Sequence, residues 1–321
     1  MPSVFSGSFF LIGGPLATLL VLAACGDNDV GTGGGSSSTS TNSASTGASS
    51  NVSPTTSSSS SSESGGAGCD PMAPFGTPVP LMELNTSDDK EMPRLTPDEL
   101  TVVFVRDKSL LYATRSSVSD PFGPADAPPG FDEGAEGWSP WLSPDGLALY
   151  FSLVGQSANP SILVARRNST ADDFGNPEDA GLDTGGLEWH PFLSPDQSDI
   201  WFVTDAVAGA AQIWHAPVAG DGTIGTPAVV PELAGAFIDW APVISADGLE
   251  IFFGRGASGN YDIYSARRTS TADPFGMPAP VTELVNEGGL NRDLPGWVSP
   301  DRCRLYFSSG GTAQDLYYAD R

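Results

Sequence analysis

The chain has 321 residues, with 14 Lys and Arg against 39 Asp and Glu and a formal net charge of −25. That length holds one large domain or two ordinary ones. A surface this acidic repels phosphate, which excludes nucleic acid as a partner, and suits a protein facing solvent.

The N-terminal 24 residues read as a secretory signal. The run "FFLIGGPLATLLVLAAC" is apolar from Phe9 to Cys25, carries no charge, and is too short and poorly flanked for a membrane span. Its end, Leu22-Ala23-Ala24-Cys25, resembles the bacterial lipobox, in which the cysteine is lipidated and becomes the new N-terminus. One feature departs from that pattern: "MPSVFSGS", ahead of the apolar run, has no Lys or Arg. Residues 26–68 are nearly all Gly, Ser, Thr, Ala and Asn. Such a composition has too little apolar surface to offset its ordering entropy, so residues 25–68 are expected to be a disordered tether with an r.m.s. span of roughly 35 Å. The resemblance implies an exported protein of the bacterial cell envelope, anchored in the outer membrane through Cys25 alone and otherwise monomeric. Residues 1–68 hold three acids (Asp27, Asp29, Glu63) and no base, so residues 69–321 carry 14 basic and 36 acidic side chains, net −22.

From residue 69 onward the chain repeats. "EMPRLTPDELTVVF" begins at Glu91, "WSPWLSPDGLALYF" at Trp138, "WHPFLSPDQSDIWF" at Trp189, "WAPVISADGLEIFF" at Trp240 and "LPGWVSPDRCRLYF" at Leu294. The shared aspartates Asp98, Asp145, Asp196, Asp247 and Asp301 are 47, 51, 51 and 54 residues apart. Each copy is followed by a second shared segment ("SLLYATR", "SILVARR", "AQIWHAP", "YDIYSAR", "QDLYYAD"), and a third opens on Phe-Gly or Ile-Gly. A fixed period of about 50 marks a repeat architecture. Each unit reads as four short strands rich in β-branched and aromatic residues and bounded by Gly, Pro, Asp and Ser. Four-stranded units around a ring make an all-β, five-bladed β-propeller over residues 69–321. The repeat region opens with a lone fourth strand, about Pro78 to Leu84, and stops after a third strand, Asp315 to Ala319. Pairing the two closes the ring.

The motif resembles the TolB-type, WD-repeat-like propeller repeat common in bacterial envelope proteins. The matching residues are the turns Ser143-Pro144-Asp145, Ser194-Pro195-Asp196 and Ser299-Pro300-Asp301, the strand ends Tyr150-Phe151 and Phe252-Phe253, and Asp262-Ile263-Tyr264. The resemblance covers about residues 75–319 and speaks for the fold, while the family hosts many roles. Ser-Pro-Asp-Gly suits a type I turn with its aspartate accepting from turn amides, so five-fold recurrence makes Asp145 structural rather than catalytic. Gly146 and Gly248 supply the final glycine, whereas Glu99, Gln197 and Arg302 take that slot elsewhere, in turns either strained or differently built. Trp138, Trp189 and Trp240 recur two residues before a proline. Recurrence points to packing between blades, with a sugar-stacking platform on the funnel rim as the alternative.

Two exported cysteines remain. Cys69 precedes the strand that closes the ring and Cys303 lies in the second strand of the blade being closed, so a disulfide would staple the closure. The two histidines, His190 and His215, fit no zinc pattern. No nucleotide loop or nucleophile elbow appears, and no cofactor is expected. The loops entering the innermost strands are acidic and end in Glu91, Glu136, Glu188, Asp239 and Asp293, which predicts a carboxylate ring at the channel mouth. Such a ring suits a non-catalytic module that binds an envelope protein or glycan. It would also serve a five-bladed arabinanase- or invertase-type glycosidase, which needs two carboxyls about 5–9 Å apart, or a calcium site.

Overall fold

The computed structural model describes residues 69–153, 162–207, 210–257, 259–284 and 291–321. The signal segment, Cys25 and the tether lie outside the described residues. Strands dominate, and the described residues include no α-helix, only a single 3-10 turn at Thr282–Leu284. They form five antiparallel sheets. Blade 1 is β2 (Lys90–Leu95), β3 (Thr101–Arg106) and β4 (Ser109–Thr114). Blade 2 is β5 (Trp138–Leu142), β6 (Ala148–Ser152), β7 (Ile162–Arg166) and β8 (Glu178–Asp179). Blade 3 is β9 (Glu188–Leu193), β10 (Asp199–Thr204), β11 (Gln212–Pro217) and β12 (Ala228–Val229). Blade 4 is β13 (Ile238–Ile244), β14 (Glu250–Ala257), β15 (Asn260–Arg267) and β16 (Ala279–Pro280). Blade 5 takes β17 (Leu294–Val298), β18 (Arg304–Gly310) and β19 (Gln314–Asp320) from the end of the chain and β1 (Val79–Pro80) from its start. Val79 pairs with Tyr318 and Pro80 with Tyr317.

The fourth strand of each unit is shorter than the repeat suggests, two residues long in four blades. In blade 1 it shrinks to a bridge between Tyr112 and Asp126. Prolines crowd these segments and remove ladder donors, so pairing stops early at the outer edge. The inner strands, by contrast, are buried on both faces, as in β2 and β6. Each sheet packs face to face between its neighbours, so the solvent-facing alternation of an open sheet is lost. Phe104, Phe202, Phe252 and Phe307, one from each of β3, β10, β14 and β18, are all but sealed from water. Burial of each contributes roughly 1.5–3 kcal/mol.

The Ser-Pro-Asp turns are built as their chemistry suggests. Ser143 Oγ donates to Asp145 Oδ1 at 2.5 Å, and the Leu147 amide donates to the same oxygen at 3.0 Å. Thr96–Asp98, Ser194–Asp196, Ser245–Asp247 and Ser299–Asp301 repeat the bond. The residue after the aspartate has positive φ in all five: Gly146 71°, Gly248 69°, Glu99 58°, Gln197 58° and Arg302 63°. The three turns without glycine are therefore the same turn carrying left-handed strain. Cys303 sits in the last of these turns, just ahead of β18 rather than inside it, and forms a disulfide with Cys69 across 234 residues, Cα 6.1 Å apart.

Candidate functional site

Strand pairing fixes which residues of the innermost strands are equivalent. Glu91 faces Val105, Trp138 faces Ser152, Trp189 faces Val203, Trp240 faces Gly254 and Leu294 faces Ser308. These five residues occupy one slot. The position before it holds Glu188, Asp239 and Asp293 in blades 3 to 5, but Lys90 in blade 1 and Gly137 in blade 2. Glu91 is thus one residue out of step with the other acids, and in a strand a slip of one reverses the face.

The five acids do not converge. Glu188 and Asp239 are sealed in the protein, and Asp293 is equally buried. Thr184 donates to Glu188 Oε1 from its amide at 3.0 Å and its hydroxyl at 2.5 Å. Asp239 accepts both arms of the Arg255 guanidinium, at 2.7 and 2.9 Å. Burial raises the Asp239 pKa while Arg255 opposes the rise. Glu136 lies two positions before Trp138 and is exposed. Glu91 alone of the five lines the cavity described next. Among the described residues the grouping able to hold a metal ion is Cys69, Asp301 and Cys303, and its two cysteines are consumed by the disulfide.

What does converge is aromatic. Trp138, Trp189 and Trp240, all half-buried, wall a cavity of 330 Å³ together with Tyr261 of β15. Trp189 and Trp240 meet edge-to-face at 5.6 Å between ring centroids, and Trp240 meets Tyr261 at 6.2 Å and 89°. The tryptophans buried in the blades pack elsewhere: Trp141 against Tyr150, Trp297 against Tyr306 and Trp201 against His215 and Phe275. The recurrent tryptophans therefore pack between blades and present a platform at once.

Part of the cavity wall is charged. The 291–293 segment is bonded to β15, with the Tyr261 amide donating to the Asn291 carbonyl and the Asp293 amide to the Tyr261 carbonyl. This holds Arg292 at the cavity, 2.8 Å from Glu91 and 2.9 Å from Asp89. Burial pushes the Glu91 carboxyl up to about 7 against the pull of Arg292, with Asp89 adding to the rise.

Beneath the platform each innermost strand carries a register break, and the residue there has positive φ: Met92 59°, Ser139 50°, His190 56° and Ala241 51°. In blade 5 Pro295-Gly296 takes this place, and a Cβ on Gly296 would overlap the Pro93 carbonyl. Such bulges re-aim side chains. They bring Ser139 Oγ within 2.5 Å of His190 Nδ1 at the cavity floor. Burial, with Arg94 nearby, lowers the His190 pKa to about 3, far from the neutral value that general-base catalysis needs.

The sequence brings up His190 only as a zinc ligand to be dismissed, and gives no reason to single out Met92, Tyr261 or Arg292. The first two sit at the bulge, visible only once pairing is known, and the last two lie outside the repeated Trp-x-Pro motif. The substitution of Glu91 and Leu294 for tryptophan was a readable signal, since the repeats align without gaps there.

No family model matches the chain, and no curated protein matches it. Solved structures do. A putative TolB from Agrobacterium tumefaciens is 16% identical, with 76% of this chain and 83% of that one aligned at a TM-score of 0.46. The catalytic domain of the GH62 alpha-L-arabinofuranosidase from Coprinopsis cinerea is 13% identical over 77% of this chain and 96% of its own, TM-score 0.47. A thermostable family-43 glycoside hydrolase is 14% identical over 74% and 90%, TM-score 0.49. A TolB and glycoside hydrolases thus stand side by side among the structures this chain is similar to, each under 20% identical and below a TM-score of 0.5.

Proposed function

We propose that this protein is a non-catalytic, glycan-binding propeller, exported and held at the bacterial cell envelope by a lipidated Cys25 and the 26–68 tether. The observation that carries the reading is the convergence of Trp138, Trp189 and Trp240 on one 330 Å³ cavity. Indole faces stack on the C–H faces of sugar rings, while the Glu91–Arg292 pair in the same cavity offers acceptors and donors for hydroxyl groups. The size suits one or two sugar rings.

One observation favours a glycosidase as the second reading: a carboxyl near 7 in an apolar cavity has the character of a general acid. Glycoside hydrolysis needs a second carboxyl, and Glu91 is the only one among the described residues lining the cavity. Binding without turnover is therefore the better account. Isothermal titration against a panel of envelope and plant oligosaccharides tests it. Binding lost at least ten-fold in Trp189→Ala, with no reducing ends released, supports the proposal. Turnover abolished by Glu91→Gln sinks it in favour of the hydrolase, and capture of an envelope protein with no glycan bound sinks it in favour of a protein partner. Palmitate incorporation that disappears in Cys25→Ala tests the anchor. Equal labelling of both forms removes it.

A further inference from the structure

The slot two residues beyond Met92, Ser139, His190 and Ala241 is filled by Trp141, Phe192 and Val243 in blades 2 to 4, and its counterpart in blade 5 is Trp297. In blade 1 it is Arg94, paired with Val103. Arg94 is 1% exposed and among the largest side chains fully sealed in the protein. It reaches from blade 1 to three others. Nη1 donates to the Gly296 carbonyl of blade 5 and, at 3.5 Å, to the Pro242 carbonyl of blade 4, and the guanidinium lies 4.9 Å over the Phe192 ring of blade 3.

That leaves one edge of the guanidinium unused. Nε and Nη2 have no hydrogen-bond partner among the described residues, and Arg94 forms no ion pair there. A buried cation without a counter-charge is costly, and unpaired buried N–H donors add to the cost. The Nε–Nη2 edge is the fork that takes one anion with two parallel hydrogen bonds. The contacts of the guanidinium are two backbone carbonyls and the Phe192 ring, and no carboxylate among the described residues forms an ion pair with it. Burial lowers the Arg94 pKa to about 9, which still leaves it charged at neutral pH. The same charge helps keep His190 neutral.

We propose that Arg94 binds a small monovalent anion of the halide class on its Nε–Nη2 edge, near the centre of the ring where four blades meet. The anion neutralises the one cation placed in an otherwise apolar ring and ties blade 1 to blades 3, 4 and 5 through a single guanidinium. The site does not depend on the ligand of the tryptophan cavity. Arg94 is 1% exposed, so a small anion is required and gluconate serves as the bulky reference anion.

The test uses the full chain dialysed into gluconate. Thermal unfolding is followed as chloride or bromide replaces gluconate at constant ionic strength. Halide at roughly 100 times its Kd is expected to raise Tm by about 5–10 °C, and Arg94→Met is expected to unfold at a Tm that no longer moves with halide. A wild-type Tm indifferent to the exchange overturns the proposal, as does an Arg94→Met variant that keeps the dependence. Should that variant fail to fold, wild-type crystals grown in bromide decide the matter by anomalous scattering. A bromide peak on the Nε–Nη2 edge supports the site, and a water there without anomalous signal overturns it.

Discussion

Replacing Asp239 separates two roles for the acids that precede the innermost strands. If Asp239 served a ligand, Asp239→Ala would cost affinity and leave stability nearly untouched. The structure points the other way. Asp239 is fully buried and takes both arms of Arg255, whose side chain is 12% exposed. Arg255 also donates to the Leu233 carbonyl at 2.5 Å and lies 4.8 Å over the Phe253 ring, so it cannot easily swing into water. Removing the carboxylate strands a largely desolvated guanidinium, which costs about 3–5 kcal/mol. For a domain of this size that is a fall in Tm of about 6–20 °C. Replacing both partners by apolar residues of similar volume, as in Asp239→Leu with Arg255→Met, is expected to recover most of the loss, because the penalty comes from the uncompensated charge. Scanning calorimetry on the two single variants and the double measures the coupling. An Asp239→Ala protein melting within 2 °C of wild type (on the order of 0.5 kcal/mol) would refute the reasoning, and one that also lost glycan binding would return this acid to the ligand site.

Three further outcomes follow from the same geometry. Glu91 titrates near 7 when folded and 4.5 in the free chain, so the folded state holds its proton more tightly; its contribution to stability is greatest below pH 4.5 and declines by roughly 3 kcal/mol as pH rises to 7. Urea titrations at several pH values should show Glu91→Gln gaining on wild type across that window, and a constant difference would exclude the assigned shift. Cys303→Ser opens a link spanning 234 residues and is expected to lower stability by about 2–5 kcal/mol, matched by wild type under strong reductant; no change in either would remove the bond from the folded protein's cross-links. Gln197→Gly relieves a φ of 58° in a turn where Gly146 and Gly248 already serve, and should raise stability by about 1 kcal/mol in chemical denaturation, whereas a loss would show that this residue carries no strain.

The architecture was legible because its signals are local and repeated. Each Ser-Pro-Asp turn states its own hydrogen bonds, and five copies outweigh the irregularity of any one. The acids failed for a physical reason as local as the turns. Glu91 and Asp239 look equivalent when read as the last acid of a loop, yet pairing Glu91 with Val105 and Asp239 with Arg255 sets them one residue apart and on opposite faces. Register is decided by both strands of a hairpin, and the loops leading into these strands differ in length. The tryptophans are the converse case. Their recurrence suggested packing, which Trp189 against Trp240 confirms, but recurrence around a ring also means convergence on its axis, so the same repetition builds a platform.

The site lies where the repeat is broken rather than where it is kept. Blades 2 to 4 present tryptophan in the shared slot, and blades 1 and 5 present Glu91 and Leu294. Blade 1 departs three times within five residues, placing Lys90 where blades 3 to 5 have an acid, Glu91 where blades 2 to 4 have tryptophan, and Arg94 where others are apolar. Each departure is answered by a partner from the far end of the chain: Asp315 at 2.9 Å from Lys90, Arg292 at 2.8 Å from Glu91, and the Gly296 carbonyl for Arg94. Blade 5 borrows β1 from the segment that runs on into β2 of blade 1, so the two blades share both a connection and these side-chain contacts. Charge placed there has two effects. It specifies which blade follows which, because a slipped or incomplete ring would bury Lys90 and Arg94 without their partners. It also gives the cavity an ionic pair, Glu91 with Arg292, beside the indoles of Trp138, Trp189 and Trp240.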